Sequence, residues 1–177
     1  MYLLAPGMET EAMARTKSFE EFYAGAVGRL LGQLFAVTGD LHEAEEIVQE
    51  AFTRAAARWA RLRDYDVPEA WVRRVAMNLA ADRARGRRRQ IRAMVKLRPA
   101  PEVLPVSVEA LALAEAMVTL PMRQRQVLVL HYLVDLPVDD VARTLDMPEG
   151  TVKSLLSRGR QALAAKLGEA EEVLDPS

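Results

Sequence analysis

Apolar residues recur at helical spacing through the first third of the chain. Between Phe19 and Leu34 they fall three or four positions apart, and Ser18 with Glu21 has the S-x-x-E form of a capping box. After Gly39, a second apolar stripe with similar spacing runs over residues 41–59. The pattern predicts two helices that pack as a hairpin, the first beginning near residue 18.

A third stripe completes a small bundle and is followed by a break. Pro68, a residue suited to a first helical turn, precedes apolar positions from Val72 to Leu79. Between Gly86 and Val106 the helical pattern fails, and the stretch contains three prolines. Such a composition is typical of a linker. The break therefore predicts a boundary between two domains.

Shorter helical segments follow the break, and no strand pattern occurs. They cover roughly residues 107–119, 123–134, 138–145 and 148–167. The sequence predicts an all-α fold of two small helical domains joined by a flexible linker, with a helix-turn-helix in the second domain. The expected divisions are a flexible N-terminus without assigned structure (1–17), a first domain (18–89), a linker (90–106), a second domain (107–168) and a fraying acidic tail (169–177).

Composition narrows the class of protein without choosing a function. Half of the 177 residues are hydrophobic and 6% are aromatic, a balance that supports packed aliphatic cores. There is no cysteine, which excludes disulfides and thiolate metal ligands and fits a reducing compartment. No apolar run approaches the ~18 residues that span a bilayer, so we expect a soluble, cytoplasmic protein with no membrane insertion. The formal net charge of −1 means that any case for nucleic-acid binding must rest on how the charges are distributed.

The segment from Val138 to Leu163 is the most informative. A short helix, a turn around Asp146 and a longer helix form a helix-turn-helix pattern. The longer helix has an inward apolar face and an outer polar and basic row, of the kind that contacts base edges and phosphates in a major groove. A solvated face on an ordinary hairpin explains the same row, and periodicity leaves both interpretations open. The inward residues are Val152, Leu156, Gly159 and Leu163, and the outer residues are Lys153, Ser154, Ser157, Arg158 and Gln161.

Charged side chains cluster at two further places. Arginines at the end of the third helix can neutralise phosphates, and Asn78 on its polar face offers a base both a donor and an acceptor; a basic terminus that complements the helix dipole is the alternative. An acidic strip on the second helix is either a solvated face or a docking surface for a basic or polar partner helix. The arginines are Arg83, Arg85, Arg87, Arg88, Arg89 and Arg92, and the strip consists of Glu43, Glu46, Gln49 and Glu50.

Signals for catalysis are weak. His42 lies in an HEAEE segment that lacks the second histidine of a zinc-protease helix, and His131 lies far away in the sequence. No Gly-rich phosphate loop, nucleophile elbow or recurrent metal-ligand spacing occurs. We therefore expect no enzymatic activity, no metal and no cofactor.

Three segments are familiar when taken together: GDLHEAEEIVQEAF, PEAWVRRVAMNLAADRAR and LPMRQRQVLVLHYLVDLPVDDVARTLDMPEGTVKSLLSRGRQAL. They resemble bacterial RNA polymerase sigma factors of the extracytoplasmic-function (ECF) type. The resemblance covers roughly Phe19 to Leu167, and three motifs in order make it more specific than a lone helix-turn-helix. It implies a factor that binds core RNA polymerase and directs promoter recognition, promoter opening and transcription initiation.

The resemblance also implies partners for the charged surfaces. The second helix would bind the clamp helices of the largest polymerase subunit, the third helix with the 61–67 loop would engage the minus-ten promoter element, and the recognition helix would read the minus-thirty-five element. The polymerase flap region and an anti-sigma factor are further implied partners. Leu155 stands where many relatives carry arginine, so a contact with phosphate or a base is missing there. The promoter sequence that the protein reads is therefore not determined by the resemblance. The implied contacts are Glu46, Gln49, Glu50 and Phe52 for polymerase, Asn78, Asp82, Arg83 and Arg85 for minus-ten DNA, and Gly150, Thr151, Lys153, Ser154 and Arg158 for minus-thirty-five DNA.

Two other functions fit parts of the sequence. A stand-alone DNA-binding regulator would use only the helix-turn-helix and keep the N-terminal bundle as a sensor or dimerisation module. An adaptor that binds only proteins would need neither basic surface. The AEEIVQEAF strip discriminates between these hypotheses, because a plain regulator has no need of a polymerase-docking helix.

Overall fold

All regular secondary structure in the described part of the chain is helical. The structure, a computed structural model, describes the backbone of residues 6–91 and 108–174 and the side chains of residues 19–87 and 113–168. The all-α prediction is confirmed for these ranges. The helices are α1 (Pro6–Thr38), α2 (Leu41–Ala56), α3 (Trp59–Leu62), α4 (Pro68–Ile91), α5 (Val108–Thr119), α6 (Met122–Leu128), α7 (Val138–Leu145) and α8 (Glu149–Leu174), with a π-helical turn over Val129–Leu133.

The predicted hairpin of α1 and α2 forms the base of the N-terminal bundle. Gly39 has a φ of 72°, a left-handed conformation that glycine adopts without steric cost, and its N–H donates to the Phe35 carbonyl oxygen over 2.8 Å. Asp40 then caps α2, because its carboxylate accepts a hydrogen bond from the backbone N–H of Glu43. The chain therefore reverses direction within two residues, and the apolar stripes of α1 and α2 meet.

Buried polar groups attach α4 to α1. The Arg73 side chain is buried, and it donates to Oε1 of Gln33 over 3.1 Å and to Oε1 of Glu69 over 3.0 Å. Burial lowers the pKa of Arg73, and the Glu69 carboxylate opposes that shift. Glu69 also accepts a hydrogen bond from Arg29, which raises the pKa of Arg29. Both arginines stay charged, so the network fixes the orientation of α4 on α1.

The first helix is longer than the apolar pattern predicts. α1 begins at Pro6 and passes through Ser18 without interruption, so the capping box is wrong and so is the flexible N-terminus for residues 6–17. A capping box needs a break in the helix before it, and residues 8–17 contain neither glycine nor proline and are mostly good helix formers. Residues 1–5 lie outside the described part of the chain.

α4 and α8 also pass their predicted ends. α4 continues to Ile91, so the arginines at 87–89 are helical and the predicted loss of helical structure after Gly86 is wrong. Arginine is a strong helix former, and the cost of about 1 kcal/mol for Gly86 inside a helix is tolerated once in so long an element. α8 reaches Leu174, which corrects the fraying tail over 169–174, a stretch of Ala, Glu, Val and Leu. The rest of the predicted linker (92–107) and residues 175–177 lie outside the described part.

Two predicted helices are interrupted although their apolar period continues. α2 ends at Ala56, and Trp59 begins the short α3. Trp59 remains buried, and its ring centroid lies 4.9 Å from that of Phe22. α6 similarly gives way to the π-helical turn at Val129. Periodicity therefore identified the core side of these segments but not the local change in backbone geometry.

The second domain contains the predicted helix-turn-helix. α7 has the predicted bounds of 138–145, and Asp146 follows it in a left-handed conformation with a φ of 53°. Short polar side chains tolerate this conformation better than branched ones. The Met147 N–H donates to the Ala142 carbonyl oxygen over 3.1 Å, which closes a tight turn before α8. This turn sets the angle between α7 and α8.

Gly159 lets α8 pack closely on α6. A β-carbon at this position would lie 2.9 Å from Cδ1 and 3.3 Å from Cγ of Leu128, closer than ordinary carbon contacts allow. Leu128 is itself buried, so it has little room to move. The prediction that Gly159 faces inward is confirmed.

Replacing Gly159 by leucine should destabilise the protein by about 2–3 kcal/mol, because the added side chain has no space between α8 and α6. Urea unfolding followed by circular dichroism measures the effect. Gly168→Leu on the same helix is the matched control, since a β-carbon there meets nothing within 4 Å, and it should change the free energy of unfolding by less than about 1 kcal/mol. Equal losses in the two variants would contradict tight packing at Gly159.

The two domains pack against each other. α1 and α4 of the first domain contact α5, α6, the π-helical turn and α7 of the second. Buried apolar side chains from both domains form one continuous cluster. Gln126 of α6 is completely buried, and its amide nitrogen donates to the Met77 carbonyl oxygen of α4 over 2.7 Å. The apolar pattern predicts each domain but does not indicate this contact between them.

Candidate polymerase and promoter interfaces

α2 presents three of the predicted polymerase-binding residues to solvent. The side chains of Glu46 and Glu50 are 51% and 39% exposed, and Gln49 is exposed as well. Ile47 and Ala51 are buried on the opposite side of the helix, as expected for residues four positions apart. Glu46, Gln49 and Glu50 thus share one accessible polar surface, which we call the docking face.

Two residues of the sequence-based set lie elsewhere. Glu43 is buried and its carboxylate forms an ion pair with Arg87 of α4, so its assignment to a solvated strip is wrong. Phe52 is only 3% exposed, and its ring centroid lies 5.8 Å from that of Phe22 and 4.8 Å from that of Tyr23. Because Phe52 continues the apolar stripe of α2, it supports the docking face from inside. Its contact with polymerase stays a prediction.

Three of the four predicted minus-ten residues line the outer side of α4. Asn78, Asp82 and Arg85 are exposed, and Arg74 precedes them one turn earlier. Arg85 forms an ion pair with Asp82. We call Asn78, Asp82 and Arg85 the α4 polar line. It combines an amide that can read a base edge with a guanidinium that can contact phosphate.

Arg83, the fourth predicted minus-ten residue, turns away from the α4 polar line toward the docking face. Its Nη1 lies 2.8 Å from Oε2 of Glu46, and its Nη2 lies 3.5 Å from Oε2 of Glu50. Each residue advances a helix by about 100°, which separates Arg83 from Asp82. The structure therefore brings together a residue predicted to bind DNA and two predicted to bind polymerase.

The segment between α3 and α4 projects an aromatic side chain into solvent. Tyr65 is 54% exposed and its neighbour Val67 is also exposed. The resemblance assigns this segment to the minus-ten element without singling out Tyr65. A lone aromatic residue within RLRDYDV is the signal that identifies it. Such an exposed ring can stack on an unpaired base.

α8 places its predicted DNA-binding residues on the surface. Val152 and Leu156 are buried on the other side of the helix, as predicted. Ser154 holds the guanidinium of Arg158 along the helix: Nη2 donates to Oγ over 2.9 Å, and Nε donates to the carbonyl oxygen over 3.3 Å. We call the five exposed residues the recognition row: Gly150, Thr151, Lys153, Ser154 and Arg158.

The recognition row has two cations, Lys153 and Arg158. Leu155 between them is half-buried and packs against the core, so no basic side chain extends from that position. On α7, a hydrogen bond from Arg143 to Asp140 raises the pKa of Arg143. Arg143 is thus partnered by a carboxylate of its own helix, and Lys153 likewise lies 3.9 Å from Oε2 of Glu149 on α8.

The two histidines have no catalytic surroundings. Nδ1 of His131 donates to the Leu136 carbonyl oxygen over 2.8 Å and braces the end of the π-helical turn. Nε2 of His42 lies 3.4 Å from Oε1 of Glu46 on the exposed side of α2. Among the described residues, no group of three or more His, Asp or Glu side chains could hold a metal ion. None of the described helices is long and apolar enough to cross a membrane.

Family models match both domains. The model described as Sigma-70 region 2 matches residues 22–90, and the model described as Sigma-70, region 4 matches residues 110–163. The first match contains the docking face, Tyr65 and the α4 polar line. The second contains the helix-turn-helix with the recognition row.

Curated relatives show similarity along most of the chain. The ECF RNA polymerase sigma factor SigW of Bacillus subtilis is 32% identical, over 75% of this chain and 80% of the relative. The ECF RNA polymerase sigma factor SigM of Mycobacterium tuberculosis H37Rv is 34% identical, over 79% of this chain and 72% of the relative. The RNA polymerase sigma-E factor of Streptomyces coelicolor is 27% identical, over 88% of this chain and 89% of the relative.

Solved structures share the fold. The sigma factor RpoE of Bartonella quintana, solved in complex with the anti-sigma factor NepR, has a TM-score of 0.70 at 21% identity and covers 86% of this chain and 98% of its own. The ECF sigma factor SigJ of Mycobacterium tuberculosis has a TM-score of 0.53 at 27% identity, over 81% of this chain and 52% of its own. The first likeness supports the helical architecture alone, without residue roles.

Proposed function

The chain belongs to the ECF family of RNA polymerase sigma factors, and we propose that it carries out the work of that family through three separate surfaces. As a sigma factor it binds core RNA polymerase and directs transcription initiation at specific promoters. In the proposed division, residues 18–91 dock on polymerase and engage the minus-ten element, and residues 108–174 read the minus-thirty-five element.

The docking face is the proposed contact for the clamp helices of the largest polymerase subunit. Its carboxylates and amide suit a basic or polar helix, since complementary charge steers such encounters. The main neighbours of α2 are α1, α3 and α4, so the second domain leaves the docking face accessible. The match to region 2 covers this helix, which disfavours a stand-alone regulator.

The α4 polar line and Tyr65 are the proposed minus-ten surface. Asn78 and Arg85 supply base-edge and phosphate contacts, and Tyr65 supplies a stacking ring for an unpaired base. Arg83 has a different proposed role, because its guanidinium is directed to Glu46 and Glu50. Arg83 holds α4 against α2 and thereby fixes the position of the α4 polar line relative to the docking face.

The recognition row is the proposed minus-thirty-five surface. Its position on the helix-turn-helix is the observation that supports the proposed promoter contacts. Five exposed small or polar positions stand on the second helix of a helix-turn-helix, opposite a buried apolar stripe. In this motif the N-terminal part of the second helix contacts base edges in the major groove. Gly150 to Ser154 occupy that part of α8.

Further partners follow from the family. We expect the protein to act in the cytoplasm and to contact the flap region of polymerase. We also expect an anti-sigma factor to regulate it. The B. quintana relative was solved with the anti-sigma factor NepR, which supports this last expectation.

Run-off transcription tests the proposal. Core polymerase from the native host is incubated with genomic fragments, with and without this protein, and new transcript starts are sequenced. We expect starts that depend on the protein and share two upstream elements at constant spacing. A folded protein that gives no new starts with a competent core would refute the role. Starts that share only one element would refute the division between two domains.

Replacing Tyr65 by alanine should reduce open-complex formation about tenfold, because loss of one base-stacking contact costs about 1–3 kcal/mol. Fluorescence of 2-aminopurine placed in the minus-ten element measures the opening. Tyr65→Phe keeps the ring and should retain most of the activity. Equal activity of the alanine variant and the unaltered protein would exclude stacking by Tyr65.

A further inference from the structure

We propose that Glu149 and Lys153 act together on one base pair: Lys153 donates to guanine and Glu149 accepts from cytosine in a single G·C pair of the minus-thirty-five element. We call these two side chains the Glu149–Lys153 pair. Its role rests on the proposed function of the recognition row, and it adds to that surface a residue, Glu149, that is not one of the five members. The distance between the two charged groups, their exposure and the open space at Gly150 support this role.

Glu149 is the first residue of α8 and lies beside the recognition row. In a helix-turn-helix, the N-terminal residues of the second helix contact base edges in the major groove. Glu149 therefore stands at the end of α8 that comes nearest to the bases. Lys153 follows four residues later, and residues four apart lie on one side of a helix. The two side chains thus face the same part of the groove in the proposed complex.

The charged groups of the Glu149–Lys153 pair lie side by side without a close bond between them. Nζ of Lys153 is 3.9 Å from Oε2 of Glu149, whereas a direct hydrogen bond is about 2.7–3.2 Å long. The two side chains are 67% and 57% exposed, and ion pairs so exposed contribute little to stability. α8 therefore arranges a donor and an acceptor next to each other and leaves both accessible to a ligand.

Acidic side chains on α7 are occupied in a way that Glu149 is not. Arg143 donates a hydrogen bond to Asp140, and its Nη2 lies 3.4 Å from Oδ2 of Asp139. Among the residues that the structure describes, none donates a hydrogen bond to the Glu149 carboxylate. The acceptor positions of Glu149 are therefore available to a group outside the domain.

Gly150 leaves open space beside the Glu149–Lys153 pair. A β-carbon at this position would meet nothing within 4 Å, so the packing of the domain does not require glycine there. Glycine is also a poor helix former, and it stands here in the first turn of α8. The missing side chain lets a ligand approach the helix backbone closely. Such an approach brings a base edge within reach of Glu149 and Lys153.

The major-groove edge of a G·C pair presents the complementary groups. Guanine carries two acceptors, N7 and O6, and cytosine carries the N4 amino donor beside them. O6 and N4 bond to each other within the base pair and therefore lie about 3 Å apart, which is similar to the separation of the two protein groups. Lysine bound to guanine and glutamate bound to cytosine are both common pairings. The Glu149–Lys153 pair can therefore contact both bases of one G·C pair.

The Glu149 carboxylate also disfavours other partners. Phosphate oxygens and the acceptors of guanine repel it, and a carboxylate that loses water without gaining a donor is destabilised. An A·T pair places its amino group between two acceptors, N7 of adenine and O4 of thymine, so Lys153 would have no two adjacent acceptors. Glu149 therefore selects G·C by attraction and opposes the alternatives by repulsion, the two means by which specificity arises.

Selection from a promoter library tests the proposal. Core polymerase with this protein transcribes templates that have a randomised minus-thirty-five element and a transcribed barcode, and sequencing of the transcripts identifies the elements used. We expect the unaltered protein to favour G·C about tenfold at one position, as for one specific base contact. Glu149→Gln should lower that preference at least fivefold and shift it toward A·T, because glutamine pairs with adenine. Preferences at the other positions should stay within about twofold.

Asp135→Asn is the matched control for the change of charge. Asp135 is exposed between the π-helical turn and α7, and its φ of 58° is one that asparagine also tolerates. This variant should select the same elements as the unaltered protein. An equal change of base preference in Asp135→Asn and Glu149→Gln would show an effect of net charge alone and would overturn the proposal.

Exchanging the two charges is the sharper test. Glu149→Lys combined with Lys153→Glu keeps the net charge and reverses the order of donor and acceptor, so this variant should favour the same base pair in the opposite orientation. Both side chains are exposed, and circular dichroism checks that the variants fold. Unchanged base preference in both Glu149→Gln and the exchanged protein would overturn the proposal. If the unaltered protein itself selected no minus-thirty-five element, the proposed function would be overturned instead.

Discussion

Replacing Arg158 by alanine should lower promoter-directed initiation about tenfold or more, since a specific contact to a base is worth about 1–3 kcal/mol. Arg158 is exposed on α8, and Ser154 holds its guanidinium along the helix, so little side-chain freedom is lost when it meets DNA. Affinity for core polymerase should not change, because the docking face lies on another domain. Run-off transcription and a binding titration with labelled core separate the two activities.

Arg160→Ala is the matched control for this experiment. Arg160 is an exposed arginine on the same helix, but its Nη1 donates to the hydroxyl of Tyr132 over 3.1 Å and is directed to the π-helical turn. Its removal should leave initiation within about twofold. A comparable loss in both variants would show that general positive charge matters and that Arg158 has no specific contact. Loss of polymerase binding in folded Arg158→Ala would contradict the division of labour.

Replacing both Gln49 and Glu50 by alanine should weaken binding to core polymerase by at least tenfold, since truncating paired polar groups at an interface commonly costs about 2 kcal/mol or more. Binding of promoter DNA by the helix-turn-helix should remain, because α8 does not contribute to the docking face. Fluorescence anisotropy with labelled core measures the first effect, and a DNA titration measures the second.

Folding of this double variant should be intact. Glu50 pairs with Arg54 over 2.5 Å and with Arg83 over 3.5 Å, but partly exposed ion pairs contribute only about 0–1 kcal/mol. Glu45→Ala is the matched control, since Glu45 is exposed on α2 and lies outside the docking face. Unchanged polymerase affinity in the folded double variant would remove Gln49 and Glu50 from the proposed contact. Loss of DNA binding as well would contradict separate surfaces.

Sequence periodicity was sufficient to predict the helix-turn-helix and the residues on the buried face of α8. α7 has the predicted bounds, and Val152, Leu156 and Gly159 are buried as expected. These features are local, because a side chain four residues away on the same helix shares its environment. The sequence patterns that carry the family resemblance lie in the same segments.

Helix ends and burial of charged residues were not predictable in the same way. α1, α4 and α8 extend beyond their apolar stripes because their flanking residues are good helix formers. Glu43 and Arg83 are directed to partners on a neighbouring helix, and such contacts depend on tertiary packing. Gln126 is the extreme case, since a buried glutamine between domains has the same appearance in a sequence as an exposed one.

The close approach at Gly159 also constrains how this protein can diverge. The distance between α8 and α6 determines how far the recognition row projects from the domain, and the space that a β-carbon would need is occupied by Leu128. A homologous chain with alanine or serine at the position of Gly159 should therefore carry a smaller residue at the position of Leu128 if it keeps the same helix separation. The two positions are expected to vary together, and their combined volume would set the depth to which α8 enters a DNA groove in the proposed complex.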